Sequence, residues 1–126
     1  MQIDQIGLPC TDLDVAQKFY CETLGLTLAD EIPGMAKLFG CEGVNLIVFK
    51  GETVAPNSVI YFKIDGVAGK IAEKVEQLKA AGVKIEQEAK CIAPNWHGKD
   101  VYLAFFRDPF GNLLGLKSDV PCELLT

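Results

Sequence analysis

The same series of sequence patterns occurs twice along the chain, and this duplication limits the possible folds more than any other feature. Gln5 through Leu28 and Val59 through Val83 each read as a strand, a helix cap, an amphipathic helix, a glycine and a second strand. Two further strands follow in each half. The sequence therefore predicts two modules of the order βαβββ, each with one helix on a four-stranded sheet.

In the first half, residues 3–9 predict a strand and residues 13–24 a helix, because apolar side chains recur there at spacings of three and four. Thr11, followed three residues later by Asp14, predicts the N-cap, and Gly25 the end of the helix. The remaining strands are predicted over residues 26–32, 35–40 and 44–50.

In the second half, residues 59–64 predict a strand, Asp65 caps a helix over residues 67–81, and Gly82 ends it. Ile71, Val75 and Leu78 form the inward side of that helix. A strand over residues 83–88 and an irregular loop over residues 91–98 follow.

The least ambiguous hairpin covers residues 99–118. Its turn, Asp108-Pro109-Phe110-Gly111, offers an Asx acceptor, a fixed φ and a glycine free to take a positive φ. Val101, Leu103 and Phe105 lie on one side of the incoming strand. Both sides are largely apolar, so we expect one to be covered and the other to line a cavity or a packed layer.

Composition narrows the class of protein. The chain has 126 residues, which suits a single domain, with modules at about 1–53 and 57–120. A net charge of -5, with only 12 scattered basic residues, argues against a nucleic-acid partner and favours a neutral or cationic ligand. The N-terminus MQIDQIGLPC predicts no signal peptide, and no window is long and apolar enough for a membrane span, so we expect a cytoplasmic protein.

The five cysteines are odd in number, widely spaced and never arranged as CxxC. That pattern is typical of reduced, mostly buried thiols and not of a disulfide framework or a zinc site. The predicted fold class is α+β, with two βαβββ modules forming a curved mixed sheet around a central cleft and the helices outside. Such a cleft suits a small organic ligand.

Two segments, IDQIGLPCTDLDVAQKFYCETLGL and FFRDPFGNLLGL, resemble the vicinal oxygen chelate superfamily, which includes glyoxalase I, extradiol dioxygenases, fosfomycin-resistance proteins and bleomycin-binding proteins. The resemblance extends from Ile3 to about Ser118 and implies the fold and, for a short member, a homodimer. It does not select a reaction, because the fold carries unrelated activities.

Family enzymes hold a metal at four strand positions, and the resemblance carries these to Gln5, the stretch from Asn45 to Val48, Val59 and Gly115. A catalytic divalent ion needs about three protein ligands. Of these positions only Gln5 is a plausible ligand, and it can equally serve as a hydrogen-bonding group in an apolar cavity. The sequence therefore predicts no metal site, no other cofactor and no catalytic residue.

His97 is the only histidine and sits beside Trp96 in a loop that the family places near the pocket mouth. The histidine could act as an acid, a base or a donor, or simply be solvated, and the tryptophan could close over a ligand or pack on the rim. Phe105 stands where ring-cleaving dioxygenases of the superfamily have a tyrosine. The predicted ligand-binding residues are Gln5, Ile47, Val59, Tyr61, Trp96, His97, Leu103, Phe105 and Gly115.

We therefore expect metal-independent binding or sequestration of a small, largely apolar or aromatic organic molecule, similar to the action of bleomycin-binding proteins. One alternative is a glyoxalase-like, metal-dependent lyase or isomerase, or a dioxygenase. Another is an interaction module in which the same side chains simply fill the cavity.

Overall fold

The computed structural model describes residues 5–51 and 59–122, and the chain divides into two compact units. The first unit comprises Met1–Ala55 with Pro109–Asn112, and the second Pro56–Asp108 with Leu113–Thr126. The predicted boundary over residues 51–58, apart from Gly51, lies outside the described residues, as do the first two residues of the first predicted strand.

The first unit contains one four-stranded sheet. Its elements are β1 (Gln5–Cys10), α1 (Leu13–Gln17), a π-helical continuation (Lys18–Thr23), β2 (Thr27–Ile32), β3 (Ala36–Cys41) and β4 (Val44–Lys50). The strand order is β1-β4-β3-β2, with β1 and β4 parallel and the other pairs antiparallel.

The second unit repeats this arrangement. Its elements are β5 (Ile60–Ile64), α2 (Lys70–Ala80), β6 (Lys84–Trp96), β7 (Lys99–Arg107) and β8 (Leu113–Pro121). The order β5-β8-β7-β6, again with a parallel pair and two antiparallel pairs, matches that of the first sheet. The predicted α+β class and the two βαβββ modules are confirmed.

Each helix covers one side of its own sheet. In the first unit Tyr20 and Phe39 are fully buried, with ring centroids 5.3 Å apart, and Lys37 Nζ donates to Gln17 Oε1 at 2.7 Å. In the second unit Ile71, Val75 and Leu78 are buried, as predicted, and α2 contacts β6, β7 and β8. The described helices are too short, and insufficiently apolar, to span a membrane.

The first helix begins at Leu13 as predicted, but its predicted cap and the predicted start of the second helix need correction. The first N-cap is Asp12 and not Thr11, because Asp12 Oδ1 accepts from the backbone N–H groups of Asp14 and Val15 at 3.0 and 3.1 Å. The second helix begins at Lys70, after Gly69 with a φ of 85°. Asp65 instead uses its backbone carbonyl, which accepts from Ser118 Oγ at 3.0 Å.

The segment predicted as an irregular loop over residues 91–98 is mostly strand. β6 continues to Trp96, which pairs with Lys99 across a two-residue turn whose members, His97 and Gly98, have φ values of 52° and 79°. Positive φ at both central residues matches the right-handed twist of the flanking strands. Pro94 is tolerated because it lies in an edge strand at the register irregularity between Ala93 and Trp96, where it has no directly paired residue.

The β7–β8 hairpin is confirmed, with its turn between Arg107 and Leu113 and a φ of 89° at Gly111. Asn112, which is 1% exposed, donates from Nδ2 to the Pro9 carbonyl at 2.9 Å. This bond lies within the first unit and fixes the end of β1, because a buried amide without a partner would be destabilising.

Candidate functional site

The candidate site lies on the side of the second sheet opposite α2, which we call the helix-free face. Directly paired residues of neighbouring strands point to the same side of a sheet, so they form rungs across it. The aromatic rung consists of Tyr61, Gly115, Phe105 and Gln87. The lysine rung, two residues further along β5, consists of Lys63, Lys117, Leu103 and Lys90. Four of the predicted site residues thus share one face.

Gly115 gives the aromatic rung its shape. A methyl group built on Gly115 would come 2.7 and 2.9 Å from Cδ1 and Cε1 of Tyr61, and 3.4 Å from Cε1 of Phe105. The missing side chain therefore leaves the space that the two rings occupy. The rings meet edge to face with centroids 5.9 Å apart, and Tyr61 remains 49% exposed. Aromatic pairs prefer this edge-to-face arrangement. It leaves one surface of the ring pair open.

Gln5 and Ile47 lie on the corresponding face of the first sheet. Gln5 is paired with Asn45, and Ile47 is paired with Gly7, so two amides and an aliphatic side chain line neighbouring rungs. Phe49 packs over Gly7, where an added methyl would lie 3.3 Å from its Cε1. The part of this face formed by β1 and β4 holds hydrogen-bonding amides and apolar groups.

The structure places the other predicted residues apart from the aromatic rung. Val59 directly precedes β5 and is half-buried. Trp96 and His97 lie at the tip of the β6–β7 hairpin, where their rings meet at 4.4 Å and Trp96 is 57% exposed. Neither observation tests the roles predicted for Trp96 and His97, which therefore stay predictions.

The side chains at the family's metal positions do not form a cation site. Val59 and Gly115 carry no donor atom, and the Tyr61 ring fills the space into which a side chain on Gly115 would project. Across residues 5–51 and 59–122, no three His, Cys, Asp or Glu side chains cluster closely enough to hold a metal ion. Gln5 and Asn45 supply only neutral amide oxygens, whereas a hard divalent cation is usually held with the help of carboxylates.

The charges on the helix-free face of the second sheet are mostly positive. Arg107 Nε lies 3.2 Å from Glu86 Oε1, and this hydrogen bond is the main reason why the pKa of Glu86 falls below its ordinary value. Lys117 Nζ lies 3.7 Å from Asp119 Oδ2. Among the described residues, no carboxylate lies within 4.0 Å of the amino groups of Lys63 or Lys90. Both amino groups therefore remain open to an anion.

No disulfide joins the five cysteines, all of which lie in the described ranges. Only Cys10 is buried and the other four are partly exposed, so the prediction of mostly buried thiols is wrong. Partial desolvation raises the pKa of Cys122, and its contact with Asp100 Oδ1 at 3.4 Å adds to the rise. A raised pKa keeps a thiol protonated and less nucleophilic. A depression of about 380 Å³ lies along the first helix, but it is shallow and lined by polar, mostly solvated side chains.

Sequence reasoning missed Gln87, Lys90 and Lys117 as members of these faces, and it named Asn45 only as the start of a stretch matched to a family metal position. Period-two alternation assigns each residue to a side of its own strand, but it does not say which residues of other strands lie opposite. β6 shifts register four times, so its partners cannot be counted off from the turn. Only the strand register, which the structure provides, shows that these residues lie side by side.

Comparison with known proteins points to one family. No curated protein matches the chain. Among solved structures, a lactoylglutathione lyase from Agrobacterium tumefaciens has a TM-score of 0.70 at 23% identity, covering 93% of this chain and 92% of that one. A glyoxalase-related enzyme from Fulvimarina pelagi has a TM-score of 0.77 at 18% identity, with coverages of 93% and 87%. A glyoxalase/bleomycin resistance protein/dioxygenase from Nocardioides has a TM-score of 0.71 at 20% identity, with coverages of 100% and 90%.

These identities show a shared fold and leave the activity open. The sequence profile of the glyoxalase family matches residues 2–116, which is nearly the whole chain and confirms the resemblance drawn from the two motifs. The chain belongs to the Glyoxalase/Bleomycin resistance protein/Dioxygenase superfamily.

Proposed function

We propose that this protein binds a small, flat, largely apolar organic molecule without a metal, and that the ligand lies on the ring pair of Tyr61 and Phe105. The observation that carries the proposal is the open ring surface above Gly115, where Tyr61 is held by Phe105 yet stays 49% exposed. Aromatic side chains with one face open supply large contact area at little conformational cost.

The family's usual cation positions support the metal-free part of the proposal. Glycine at position 115 and the Tyr61 ring in its side-chain space leave an apolar surface where a metal ligand would stand. A flat molecule can be held there by stacking and by apolar burial, which stabilises by roughly 25 cal/mol per Å² of buried apolar area. The predicted homodimer and the cytoplasmic location stay predictions.

The test is a thermal-shift and calorimetric titration with naphthalene derivatives that differ in charge. We expect at least one probe to raise the melting temperature, by an amount that grows with the logarithm of one plus its concentration over Kd. Tyr61→Phe keeps the ring and should bind as the original protein does, whereas Tyr61→Ala should lose binding. Val67→Ala is the control for the loss of exposed apolar surface in general, because it shortens an exposed apolar side chain in the same unit.

Two results would count against the proposal. If none of the probes shifts the melting temperature, the rings only fill space, and the interaction-module alternative gains. Stoichiometric, tight binding of Ni²⁺, Zn²⁺, Mn²⁺ or Fe²⁺ by protein purified without chelators would contradict the metal-free part and favour a lyase, isomerase or dioxygenase.

A further inference from the structure

We infer that the ligand carries an anionic group beside its flat ring system, and that the lysine rung binds this group. The inference rests on the proposed function, because the ring system would lie on the aromatic rung. It goes further by naming the chemical class, an aromatic anion such as a carboxylate. The overall charge of -5 alone favours a neutral or cationic ligand, so here local structure and net charge disagree.

The two rungs are neighbours in the sheet. Lys63 follows Tyr61 by two residues on β5, and Lys117 follows Gly115 by two residues on β8, so both lysines lie one step from the ring pair on the same side. One such step is about 6.8 Å along a strand. An extended lysine side chain is nearly as long as that step, so its amino group can approach an anion attached to the near edge of a ring on the aromatic rung.

Three lysines occupy one rung. Lys63 pairs directly with Lys117, and Leu103 separates Lys117 from Lys90 on the far side. Like charges at directly paired positions on one face destabilise a sheet. Natural sequences break such local rules mainly at functional sites. A bound anion would offset this repulsion, because it attracts the lysine amino groups.

Nearby acids neutralise the rung only in part. Glu86 already contacts Arg107 and Lys84, at 3.2 and 3.6 Å. Asp119 reaches only Lys117, at 3.7 Å, which is longer than a hydrogen bond, and its Oδ1 has no hydrogen-bond partner in the described structure. Since Lys63 and Lys90 are exposed and their amino groups lack a nearby carboxylate among the described residues, the rung keeps a positive field next to an apolar surface.

The experiment compares 1-naphthoate with its neutral analogue 1-naphthalenemethanol and its cationic analogue 1-naphthylmethylamine by isothermal titration calorimetry. We expect 1-naphthoate to bind about tenfold more tightly than the neutral analogue, the gain expected of a charge-assisted hydrogen bond. The preference should fall as salt is added, because exposed charges are screened. Lys63→Gln and Lys117→Gln should each reduce the preference, while Lys70→Gln, on the helix side with the same change in net charge, should not.

The outcomes separate this inference from the function on which it rests. One result would overturn the anionic class and keep the proposed function. In it, 1-naphthoate and 1-naphthalenemethanol bind equally tightly, and Tyr61→Ala loses the binding of both. An unchanged preference in the Lys63→Gln and Lys117→Gln variants would also overturn the anionic class. A change in oligomeric state in those variants, with no change in preference, would show that the rung meets acidic groups of a second copy. Absence of binding by all three probes would overturn both proposals.

Discussion

The helix-free faces of the two sheets share a strand order and differ in what lines them. In the first sheet the β1–β4 pairs on this face hold Gln5 with Asn45 and Gly7 with Ile47, which are uncharged, and Asp30 lies at the β2 end of the second rung. In the second sheet the β5–β8 pairs hold Tyr61 with Gly115 and Lys63 with Lys117, a ring over a glycine and two cations. The covered faces, by contrast, are alike, with a buried aromatic residue in each. The difference shows that packing against the helix fixes one side of this module and leaves the other free to acquire a binding surface.

The largest expected effect tests whether the helix-covered faces of the two sheets are equally tightly packed. Phe39 and Phe106 are 0% and 1% exposed, so Phe39→Ala and Phe106→Ala should each lower the free energy of unfolding by about 3 to 5 kcal/mol, through lost burial and a residual cavity. Urea unfolding measures both. Phe105→Ala, in the same strand but on the helix-free face, should lose clearly less. An equal loss at Phe105 would show that this face is as tightly packed as the covered one.

A smaller effect, differing between the sheets, is expected at the two glycines beneath aromatic rings. Gly115→Ala forces the Tyr61 ring to move and should lower the free energy of unfolding by about 1 kcal/mol, the low end for overpacking, since the half-exposed ring can swing outward. In Gly7→Ala the added methyl lies 3.3 Å from Cε1 of Phe49, and because this ring is 41% exposed and can shift outward, the protein should be unchanged or slightly stabilised. Equilibrium unfolding compares them. The loss at Gly115 should vanish in a Tyr61→Ala background, and if it persists, the ring is not its cause.

The smallest effect concerns the pH dependence of stability. Arg107 lowers the pKa of Glu86 below 4.5 in the second sheet, so this pair stabilises the folded state above that value and the contribution fades as pH falls through the folded pKa. In the first sheet Glu31 raises the pKa of Lys37 above 10.5, and that contribution fades as pH rises through the folded pKa. Glu86→Gln should therefore flatten the acid side of the urea-midpoint profile and Lys37→Gln the alkaline side. If Glu86→Gln flattened the alkaline side, or Lys37→Gln the acid side, these ion pairs would not be the source of the pH dependence.

Most of the fold can be predicted from local patterns. Glycines that end helices, the amphipathic stripe of α2 and the Asp108–Gly111 turn all depend on residues close in sequence, and the structure has them where the patterns place them. The errors have local causes as well. Asp12 is the N-cap in place of Thr11 because its carboxylate accepts from two backbone N–H groups. The second half of the first predicted helix is π-helical over Lys18–Thr23, and Phe19 and Tyr20 are buried there.

The candidate site was only half predictable. Tyr61, Phe105 and Gly115 could be placed on one side of their strands by alternation, and the resemblance singled out Gly115. The contact of the Tyr61 ring with the space above Gly115, and the rung that joins Lys63, Lys117 and Lys90, depend on pairing between residues distant in sequence. Such pairing is set by tertiary packing and by the bulges of β6, neither of which leaves a local pattern.

In both units the last strand lies between the first and the third, in the orders β1-β4-β3-β2 and β5-β8-β7-β6. During synthesis, a nascent chain that has emerged only as far as β3 or β7 leaves its opening strand without a neighbour to receive its backbone hydrogen bonds. Such an exposed edge invites aggregation. Each sheet therefore stays incomplete until its last strand, Val44–Lys50 or Leu113–Pro121, has paired with both of its neighbours.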